Sequence, residues 1–420
     1  MSAVPMLRPS YDLVSKSFFE DPEGTTFSRM RENHPVYFDP SLSAWILTTY
    51  DDVSKALRSP DLSVDRNGEI GRGSSPEVAP QLRSVNAVLS QWMVFADAPL
   101  HTRLRSVVSK AFQPQTLRSL VPVIDRIVDE LLDDAEQRGS FDVLSDLGMP
   151  VGEQVTAHLL GLPPDSPKLL KRWTENIFGF LGAGKASDAI VQANAEGINA
   201  FRAFVRDVID ARRGSPGDDL VTQLIADAKG DYTEEELVGL VITLIVGAFE
   251  TTAYSITNGL YALLRHPQQL QLLRAQPQLI EGAVEETLRF DGPALSVQRR
   301  AKYDLTIRDT TIRERDRIYC MLHAANHDPA MFSQPSRLDI TRTPCRQLGL
   351  GLGPHFCLGA WLTRLEAQRA ILKTVQRFPN LRLAEGSQPE WIANFAIRGL
   401  TELVLSTSAS GWFKRPDNRE

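Results

Sequence analysis

Helical spacing of apolar residues runs through most of the chain. Between residues 115 and 214 this spacing is interrupted at short turn signals, at 139–140, 149–150, 161–164 and 182–184. No strand-like alternation of any length separates these segments. The pattern therefore predicts a mainly α fold with a minor β part, organised as one domain over residues 1–420 with frayed tails at 1–20 and 406–420.

Strand-like patterns occur in a few short places. Residues 36–48 contain two apolar stretches around a polar loop and predict a β-hairpin. Residues 294–297 predict a strand that leads to Arg299. Residues 63–84 are rich in Gly, Ser, Pro and Arg with weak periodicity, and they predict a long loop.

One predicted helix is apolar on nearly all sides. Thr233 and Glu236 form a capping-box pattern at its start, and the helix can extend from residue 233 to 265. Glu250 and Thr251 lie in its middle, although buried polar groups are costly unless they are paired or used. A threonine there can bend the helix or hold a water, and a glutamate can transfer protons, so the pair indicates a functional site.

Composition and charge exclude several classes of protein. A hydrophobic content of 42% and a charged content of 23% are typical of a globular protein with a large core. The net charge of −6 argues against general nucleic-acid binding. Three irregularly spaced cysteines do not form a disulfide framework, and no signal peptide or membrane anchor is evident. We therefore expect a cytoplasmic protein.

A glycine-rich loop, residues 347–359, ends close to a cysteine and precedes a helical pattern. Gly349, Gly351 and Gly353 allow positive φ and remove side chains that would keep a flat partner away. Cys357 lies near the start of the helix, where the helix dipole should favour its thiolate.

Other interpretations of this loop are weaker. A phosphate-binding loop needs Gly-Lys-Ser/Thr, and a dinucleotide fingerprint needs a glycine where Phe356 stands. A zinc site would need more close ligands than His355. A soft thiolate beside space for a planar macrocycle suits haem iron, and the structural alternative is a buried cysteine after a turn.

The loop also resembles a known family. The sequence Gly351-x-Gly353-x-His355-x-Cys357-x-Gly359 resembles the haem-binding loop of cytochrome P-450 enzymes. Leu350 stands where that family usually has phenylalanine, and this difference affects the tuning of the iron rather than its ligation. The resemblance implies the cytochrome P-450 fold, with the long buried helix over a haem b that Cys357 ligates.

The resemblance assigns further residues. His101 and Arg105 share a helix face, and a histidine and an arginine there could equally belong to a solvated basic helix. By resemblance they bind the haem propionates together with Arg299 and His355. The remaining positions that the resemblance assigns are Ala248 and Gly359 beside the haem, Glu250 and Thr251 as the catalytic acid–threonine pair, and Glu286 and Arg289 as a structural pair.

The resemblance implies a monooxygenase that uses O2 and hydroxylates a hydrophobic small molecule such as a terpenoid, steroid or polyketide. The loop at 63–84 would cover its pocket. The candidate pocket residues are Trp92, Met93, Ile177, Phe180, Val246, Leu295, Val297 and Phe395. Ordinary core packing is the alternative for each of them.

Electrons would come from NAD(P)H through a ferredoxin reductase and a ferredoxin, because no reductase domain follows the haem loop. The ferredoxin is expected to dock near Arg103, Lys110 and Arg346. The protein itself is expected to be a monomer.

Two other functional classes remain open. A peroxide-driven peroxygenase would have little need of Glu250 and Thr251, and a haem sensor would usually carry an output domain.

Overall fold

The computed structural model describes residues 11–407, except 67–74, 164–165, 167–168, 171–172, 174–176, 178–186 and 229–231. The described α-helices are α1 Lys16–Glu20, α2 Ser28–Asn33, α3 Tyr50–Arg58, α4 Ala79–Leu89, α5 Leu100–Val108, α6 Pro114–Leu117, α7 Val121–Arg138, α8 Met149–Leu160, α9 Asp188–Gly214, α10 Leu220–Ala228, α11 Glu234–Ala248, α12 Glu250–Arg265, α13 Pro267–Ala275, α14 Ile280–Asp291, α15 Leu322–Asn326 and α16 Ala360–Arg377. The short helices are Glu23–Phe27, Pro76–Val78, Met93–Phe95, Arg118–Leu120, Val143–Gly148, Pro277–Leu279 and Gly353–His355.

The strands are β1 Val36–Asp39, β2 Ala44–Leu47, β3 Leu62–Ser63, β4 Ser140–Asp142, β5 Ser296–Ala301, β6 Leu305–Ile307, β7 Thr310–Ile312, β8 Arg317–Met321, β9 Arg382–Leu383 and β10 Val404–Ser406. They form sheets with the orders β1-β2-β8-β5-β3, β4-β10-β9 and β6-β7. The pairing of β2 with β8 is parallel, with Trp45 opposite Ile318, and the other pairs are antiparallel. The predicted hairpin of β1 and β2 is confirmed.

The segment formed by α11 and α12 crosses the helical core. One apolar cluster joins α4, α9 and α11, and a second joins α7, α12, α14 and α16. The segment is long and apolar enough to cross a membrane, but 72% of its apolar window is buried inside the protein. Its composition is therefore explained by core packing.

The capping box that the sequence predicts at the start of α11 is confirmed. Glu236 N–H donates to the Thr233 hydroxyl, and Thr233 N–H donates to Glu236 at 2.9 Å. The helix does not continue unbroken to Arg265, because it is interrupted at Phe249, directly before Glu250. The polar residues in its middle therefore begin a new helix segment.

Several predicted boundaries were wrong. Tyr11, Leu13 and Phe18 are buried, and Ser406 belongs to β10, so the tails are ordered further out than expected. The predicted loop at 63–84 includes the start of α4, because proline in the first helical turn is compatible with a helix. Residues 1–10 and 408–420, and part of that loop, lie outside the described residues.

Two further predictions about strands were wrong. The region 115–214 was expected to contain no strand, but β4 lies in it and pairs with β10. The strand expected at 294–297 is β5, which begins later and includes Arg299. Three residues in β4 are too few for an alternating pattern to be visible in the sequence.

Ion pairs attach α16 to α7. Arg369 Nε lies 2.6 Å from Asp125 Oδ1, and Lys373 Nζ lies 2.8 Å from Asp129 Oδ1. Arg377 is paired one turn further along α16, 2.5 Å from a Glu136 oxygen. These contacts hold the helix that follows the Cys357 loop against the core.

Candidate functional site

A cavity of about 220 Å³ lies between α11 and the loop that contains Cys357. Its lining comes from segments that are distant in sequence. The lining residues are Met93, Val94, His101, Arg105, Phe112, Thr156, Leu159, Leu160, Thr243, Leu244, Gly247, Ala248, Thr252, His355, Phe356, Cys357, Leu358, Gly359, Leu362, Thr363 and Glu366. A mainly apolar wall with a few polar groups at defined places is typical of a small-molecule or cofactor site.

The Cys357 loop is fixed by its own backbone. Cys357 N–H donates to Leu350 O at 2.8 Å, and Gly351 N–H donates to Leu348 O at 2.8 Å. Gly351 and Gly353 have φ of 74° and 76°, a conformation that favours glycine. A Cβ at Gly353 would lie 2.9 Å from Leu57 O, so this glycine also permits close packing against α3.

Gly349 does not have the role that its sequence position suggested. It is absent from the positive-φ glycines, and a Cβ there would lie 2.8 Å from Leu288 O. Gly349 therefore allows the loop to pack against α14. In contrast, Gly247 and Gly359 line the cavity, and a Cβ at either position would have no neighbour within 4 Å.

The protonation of Cys357 differs from the expectation. Burial raises the pKa of the thiol, and this effect outweighs the backbone N–H of Gly359 and the guanidinium groups of Arg105 and Arg364. The helix itself begins three residues later, at Ala360. The prediction that the helix N-terminus would lower the pKa of the thiol was wrong, because desolvation has the larger effect.

His101, Arg105 and His355 meet at one side of the cavity. The rings of His101 and His355 lie 4.0 Å apart between centroids, and Arg105 Nη2 donates to Phe356 O at 2.5 Å. Burial lowers the pKa of His355 to about 3, with smaller contributions from His101 and Arg299. His101 Nε2 is buried without a hydrogen-bond partner.

Arg299 is buried on β5, where Nη1 donates to Gln298 O at 2.9 Å. Burial also lowers the pKa of Arg299. It is close enough to lower the pKa of His355, although it does not contribute to the described lining of the cavity. Two guanidinium groups and two neutral imidazole rings near one wall suit anionic oxygen atoms.

Glu250 and Thr251 follow the break in the long helix. The Thr251 hydroxyl donates to Gly247 O at 2.9 Å, one turn earlier, which is the back-bonded state that bends helices. Glu250 is buried. Among the described lining residues this part of the helix is represented by Gly247, Ala248 and Thr252.

Thr252 and Glu366 are functional candidates that the sequence interpretation missed. The Thr252 hydroxyl donates to Glu366 Oε2 at 3.3 Å, and both side chains line the cavity. Burial raises the pKa of Glu366 well above its ordinary value, and the hydrogen bond from Thr252 lowers it less. Glu366 lies four residues after Leu362 and four before Ala370, so an acid on the apolar face of α16 was the available signal.

The predicted substrate residues do not form one surface. Met93 lines the cavity, whereas Trp92, Ile177 and Val246 are buried in the helical core. A separate group lies near the sheet: Leu295 and Phe395 pack in one apolar cluster and Val297 packs against another. Phe180 lies outside the described residues. Apolar sequence alone could not distinguish a pocket wall from core packing.

Glu286 and Arg289 form an ion pair with no exposed side-chain surface. Arg289 Nε lies 2.7 Å from Glu286 Oε2, and the guanidinium also donates to the carbonyl oxygens of Asn326 and Pro335. Glu286 also accepts from Arg342 Nε at 3.0 Å. The pair therefore connects α14 to the segment that precedes the Cys357 loop.

Arg103 was expected to be a surface charge that could receive a partner protein. Instead it forms an ion pair with Glu236, and its guanidinium lies 5.2 Å from the centre of the Tyr232 ring. Arg103 therefore belongs to the contacts that hold the start of α11. Lys110 and Arg346 are exposed.

Comparisons with known proteins agree with this arrangement. The family model described as "Cytochrome P450" matches residues 70–402. The chain belongs to the cytochrome P-450 family. The biotin biosynthesis cytochrome P-450 of Bacillus subtilis (strain 168) is 34% identical over 398 residues, which cover 94% of this chain and 98% of the relative. Cytochrome P-450 monooxygenase PikC of Streptomyces venezuelae is 34% identical over 410 residues, with 94% of each chain covered.

Solved cytochrome P-450 structures share the fold. Cytochrome P-450 BioI, in complex with an acyl carrier protein ligated to hexadec-9Z-enoic acid, superposes with a TM-score of 0.86 at 32% identity, covering 93% of this chain and 99% of that one. A myxobacterial cytochrome P-450 in complex with myristic acid gives a TM-score of 0.87 at 32% identity, covering 96% and 100%. The predicted fold class is confirmed. The protein is a monooxygenase that uses haem b and O2, with electrons from NAD(P)H supplied through redox partners.

The residues of the cavity fit a haem. Gly247 and Gly359 leave open space on the two elements that would face the macrocycle, and Cys357 supplies a thiol to the lining of the same cavity. The unpartnered His101 Nε2 and the neighbouring Arg105 are donors of the kind that a propionate needs. A coordinating thiol is deprotonated by the metal, which resolves the raised pKa of Cys357.

Proposed function

We propose that Cys357 would ligate the haem iron and that the protein hydroxylates a hydrophobic small molecule. The observation that carries this proposal is the position of Cys357 in the lining of the cavity that Gly247 and Gly359 leave open. His101, Arg105, Arg299 and His355 would hold the propionates, with Ala248 and Gly359 beside the macrocycle. When bound, the haem supplies O2 activation at its iron, and the thiolate donates electron density to it.

The chain's own groups position the substrate and handle protons. Gly247 O already holds the Thr251 hydroxyl at 2.9 Å, so this hydroxyl is fixed next to the break in the helix. Glu250 follows that break and can take up and release protons. We propose that Glu250 and Thr251 deliver protons into the cavity, while Met93, Leu244 and the other apolar residues exclude bulk water.

The decisive experiment is the absorption spectrum of the reduced protein under carbon monoxide. Wild-type protein should show the red-shifted band of a thiolate-ligated haem, and Cys357→His should lose or move it. Cys345→Ser is the matched control, because Cys345 is also a free thiol but lies outside the cavity lining. A band that does not depend on Cys357 would contradict the proposal.

The substrate class rests on the apolar wall and on the relatives. Phe112, Leu159 and Leu160 face the cavity from α8 and the segment after α5. Relatives include a polyketide biosynthesis enzyme of Bacillus subtilis (strain 168) and a vitamin D(3) 25-hydroxylase of Pseudonocardia autotrophica. We propose a terpenoid, steroid or polyketide. Titration with members of each class should change the haem spin state for one class, and no response to any of them would exclude this assignment.

We also propose that a ferredoxin, reduced by a ferredoxin reductase, docks near Lys110 and Arg346. Both residues are exposed. Their positive charges would attract an acidic carrier protein, and dissolved salt would screen this attraction. Lys110→Glu and Arg346→Glu should each slow reduction by ferredoxin about 3- to 10-fold at low salt and less at high salt. The control is Arg315→Glu, an 81% exposed side chain between β7 and β8. Equal rates for all variants in stopped-flow reduction would contradict this docking site.

Localisation in the cytoplasm is also part of this proposal. Cys320, Cys345 and Cys357 are all free thiols, as expected in a reducing compartment. We expect a monomer, which sedimentation of the purified protein would test.

A further inference from the structure

An arginine without an anionic partner lies between the helical core and the five-stranded sheet. Arg66 follows β3, and its guanidinium carbon lies 4.9 Å from the centre of the Phe95 ring. None of the described residues forms a hydrogen bond or an ion pair with Arg66, and none of their carboxylates is near enough to affect its pKa. The guanidinium group therefore carries a positive charge that the described part of the chain does not neutralise.

A comparison with other arginines shows what Arg66 lacks. Three arginines that lie over aromatic rings each pair with a carboxylate as well. These pairs are Arg103 with Glu236, Arg289 with Glu286, and Arg398 with Asp291. Arg66 has the ring contact but no carboxylate. Since a desolvated charge without a partner is costly, the position of Arg66 indicates an anion from outside the chain.

The Arg66 guanidinium is desolvated, but a small group can reach it. Burial lowers the pKa of Arg66 to about 10, and Arg299 lowers it further. The nitrogen atoms of Arg66 are nevertheless not among the fully buried atoms that lack a partner, and the residue as a whole is half-buried. The charge therefore persists at pH 7 and faces a space inside the protein that an anionic group can enter.

Tyr319 offers a second donor beside Arg66. It lies on β8, near enough to raise the pKa of Arg66, and its hydroxyl group makes no hydrogen bond to the described residues. Its ring packs edge-on against Phe395, with centroids 4.8 Å apart. A guanidinium and a phenol hydroxyl together suit the oxygen atoms of a carboxylate, and hydrogen bonds to a charged acceptor are strong.

The four groups proposed for the haem propionates are distinct from this pair. The pKa of His355 responds to the other three of those groups but not to Arg66. Of the four, only Arg299 affects the pKa of Arg66. Arg66 and Tyr319 therefore lie on the far side of Arg299 from His355, where they can serve a second anion.

We propose that Arg66 and Tyr319 bind the carboxylate of an apolar carboxylic acid and thereby select and orient the substrate. Phe95 and Phe395 flank the two donors and would contact the adjoining apolar part of that molecule. The proposal rests on the proposed hydroxylation of a hydrophobic molecule and narrows its substrate class to acids. Arg66 and Tyr319 bind the substrate and take no part in bond breaking.

The binding test uses probes that extend from the haem toward this site. Imidazole-terminated alkanoic acids of increasing chain length are titrated into the holoenzyme at pH 7, beside imidazole-terminated alcohols of the same lengths. Binding of the imidazole nitrogen to the iron shifts the haem absorption band and gives a dissociation constant for each probe. At the best length the acid should bind about 10- to 100-fold more tightly than the alcohol, as expected for hydrogen bonds to a charged group.

Variants of the two donors test their roles. Arg66→Gln should remove most of this preference by weakening binding of the acid, with little change for the alcohol. Tyr319→Phe keeps the ring contact with Phe395 and should weaken binding of the acid by about 3- to 10-fold. Arg83→Gln, at an exposed position on α4, should leave both probes unchanged. Tyr319→Phe retains a usable readout if Arg66→Gln fails to fold.

The outcomes separate this proposal from the proposed function. Equal binding of acid and alcohol at every chain length, or a preference that persists in Arg66→Gln, would overturn the carboxylate site alone. Faster transfer of haem from Arg66→Gln to an acceptor apoprotein, with the preference intact, would assign Arg66 to a propionate and also overturn it. If no probe shifts the haem band of the wild-type protein, the proposed function itself is contradicted.

Discussion

Glu286 and Arg289 show how one buried ion pair can be held by several parts of the chain. Neither side chain has exposed surface, and the guanidinium donates to backbone carbonyls on two other segments as well as to the carboxylate. Removing one member of such a pair leaves an uncompensated buried charge. The pair is therefore a sensitive point for the segment that leads to the Cys357 loop.

We predict that Arg289→Leu lowers the free energy of unfolding by about 3–5 kcal/mol. The cost arises because Glu286 loses its bidentate partner in a fully buried site and retains only Arg342 among its described cationic partners. Urea unfolding of the holoprotein would measure it. Arg126→Leu is the control, because its pair with Glu130 is more than half exposed and should change stability by less than about 1 kcal/mol. Similar losses in both variants would contradict this view.

Residue roles could be predicted where several types of residue occur at fixed spacing. His101, Arg105, His355 and Cys357 were selected from the sequence, and the structure brings them to one cavity. Residues that were selected only because they are apolar could not be assigned in this way. Trp92 and Leu295 are as apolar as the residues of a pocket wall, but they pack in the core. Charge was also an incomplete guide, since nothing in the sequence around Arg103 showed that Glu236 would neutralise it.

At the scale of elements, α11 and α12 combine a strong start with an interrupted middle. Thr233 and Glu236 satisfy each other's backbone N–H groups, and Glu236 also receives Arg103. Near the far end of α11, Thr251 binds Gly247 O beside the break at Phe249. Because these contacts hold the N-terminus of α11, the break at Phe249 lies at a defined place over the cavity.

We predict that Thr233→Ala lowers the free energy of unfolding by about 1 kcal/mol, because one N–H at the start of α11 loses its acceptor. Chemical denaturation would give the value. Thr102→Ala, an exposed threonine within α5, should stay within about 0.5 kcal/mol of wild type. An equal effect of both substitutions would show that the cap contributes nothing.

Elements with a local signal were predictable from the sequence, and those set by tertiary contacts were not. The capping box and the β1–β2 hairpin have signals within a few residues. The break at Phe249 lies beside the bond from the Thr251 hydroxyl to Gly247 O, and the residue types do not decide whether that hydroxyl bonds back along the helix or elsewhere. β4 exists because β10 pairs with it, and this partner cannot be identified from the sequence next to β4.

At the scale of the whole molecule, a group of buried ionisable residues links the N-terminal segment to α15. His323 and His327 lie with ring centroids 4.5 Å apart, and Glu23 is near enough to share a metal ion with them. Arg31, Arg289 and Arg398 also surround the two rings. Burial, the neighbouring histidine and these cations lower the pKa of His323 well below its usual value, and burial and Arg289 lower that of His327 to about 3. The abundance of positive charge disfavours a metal ion.

We predict that stability falls as the pH decreases from 6.5 to 4.5. In this range the histidines of the unfolded chain bind protons, whereas the buried rings of His323 and His327 in the folded protein do not. Each of these two histidines can therefore lower the free energy of unfolding by up to about 1.4 kcal/mol per pH unit. Glu23 acts in the opposite direction, because burial raises its pKa to about 6 and the folded state then binds the extra proton. Glu366, whose pKa is also raised, acts in the same direction as Glu23, and His101 and His355, whose pKa values are also lowered, act in the same direction as His323 and His327. Four histidines outweigh two glutamates, and the net effect is destabilisation.

The measurement is urea unfolding of the holoprotein across this pH range. The asparagine introduced by His327→Asn can keep the hydrogen bond to His323 O, but its side chain cannot be protonated. This variant should therefore lose about 1–3 kcal/mol less free energy of unfolding than wild type between pH 6.5 and 4.5. His158→Asn, at an exposed position on α8, should leave the slope unchanged. A slope that is the same in all three proteins would contradict the assignment.

The parallel pairing of β2 with β8 has a consequence for how the protein is made. Trp45 leaves the ribosome about 270 residues before its partner Ile318. At about 5–20 residues per second, the hairpin of β1 and β2 waits roughly 14–54 s for the strand that covers its edge. During synthesis this apolar hairpin is an open template for pairing with other nascent chains, so the yield of folded protein depends on how well chaperones shield it.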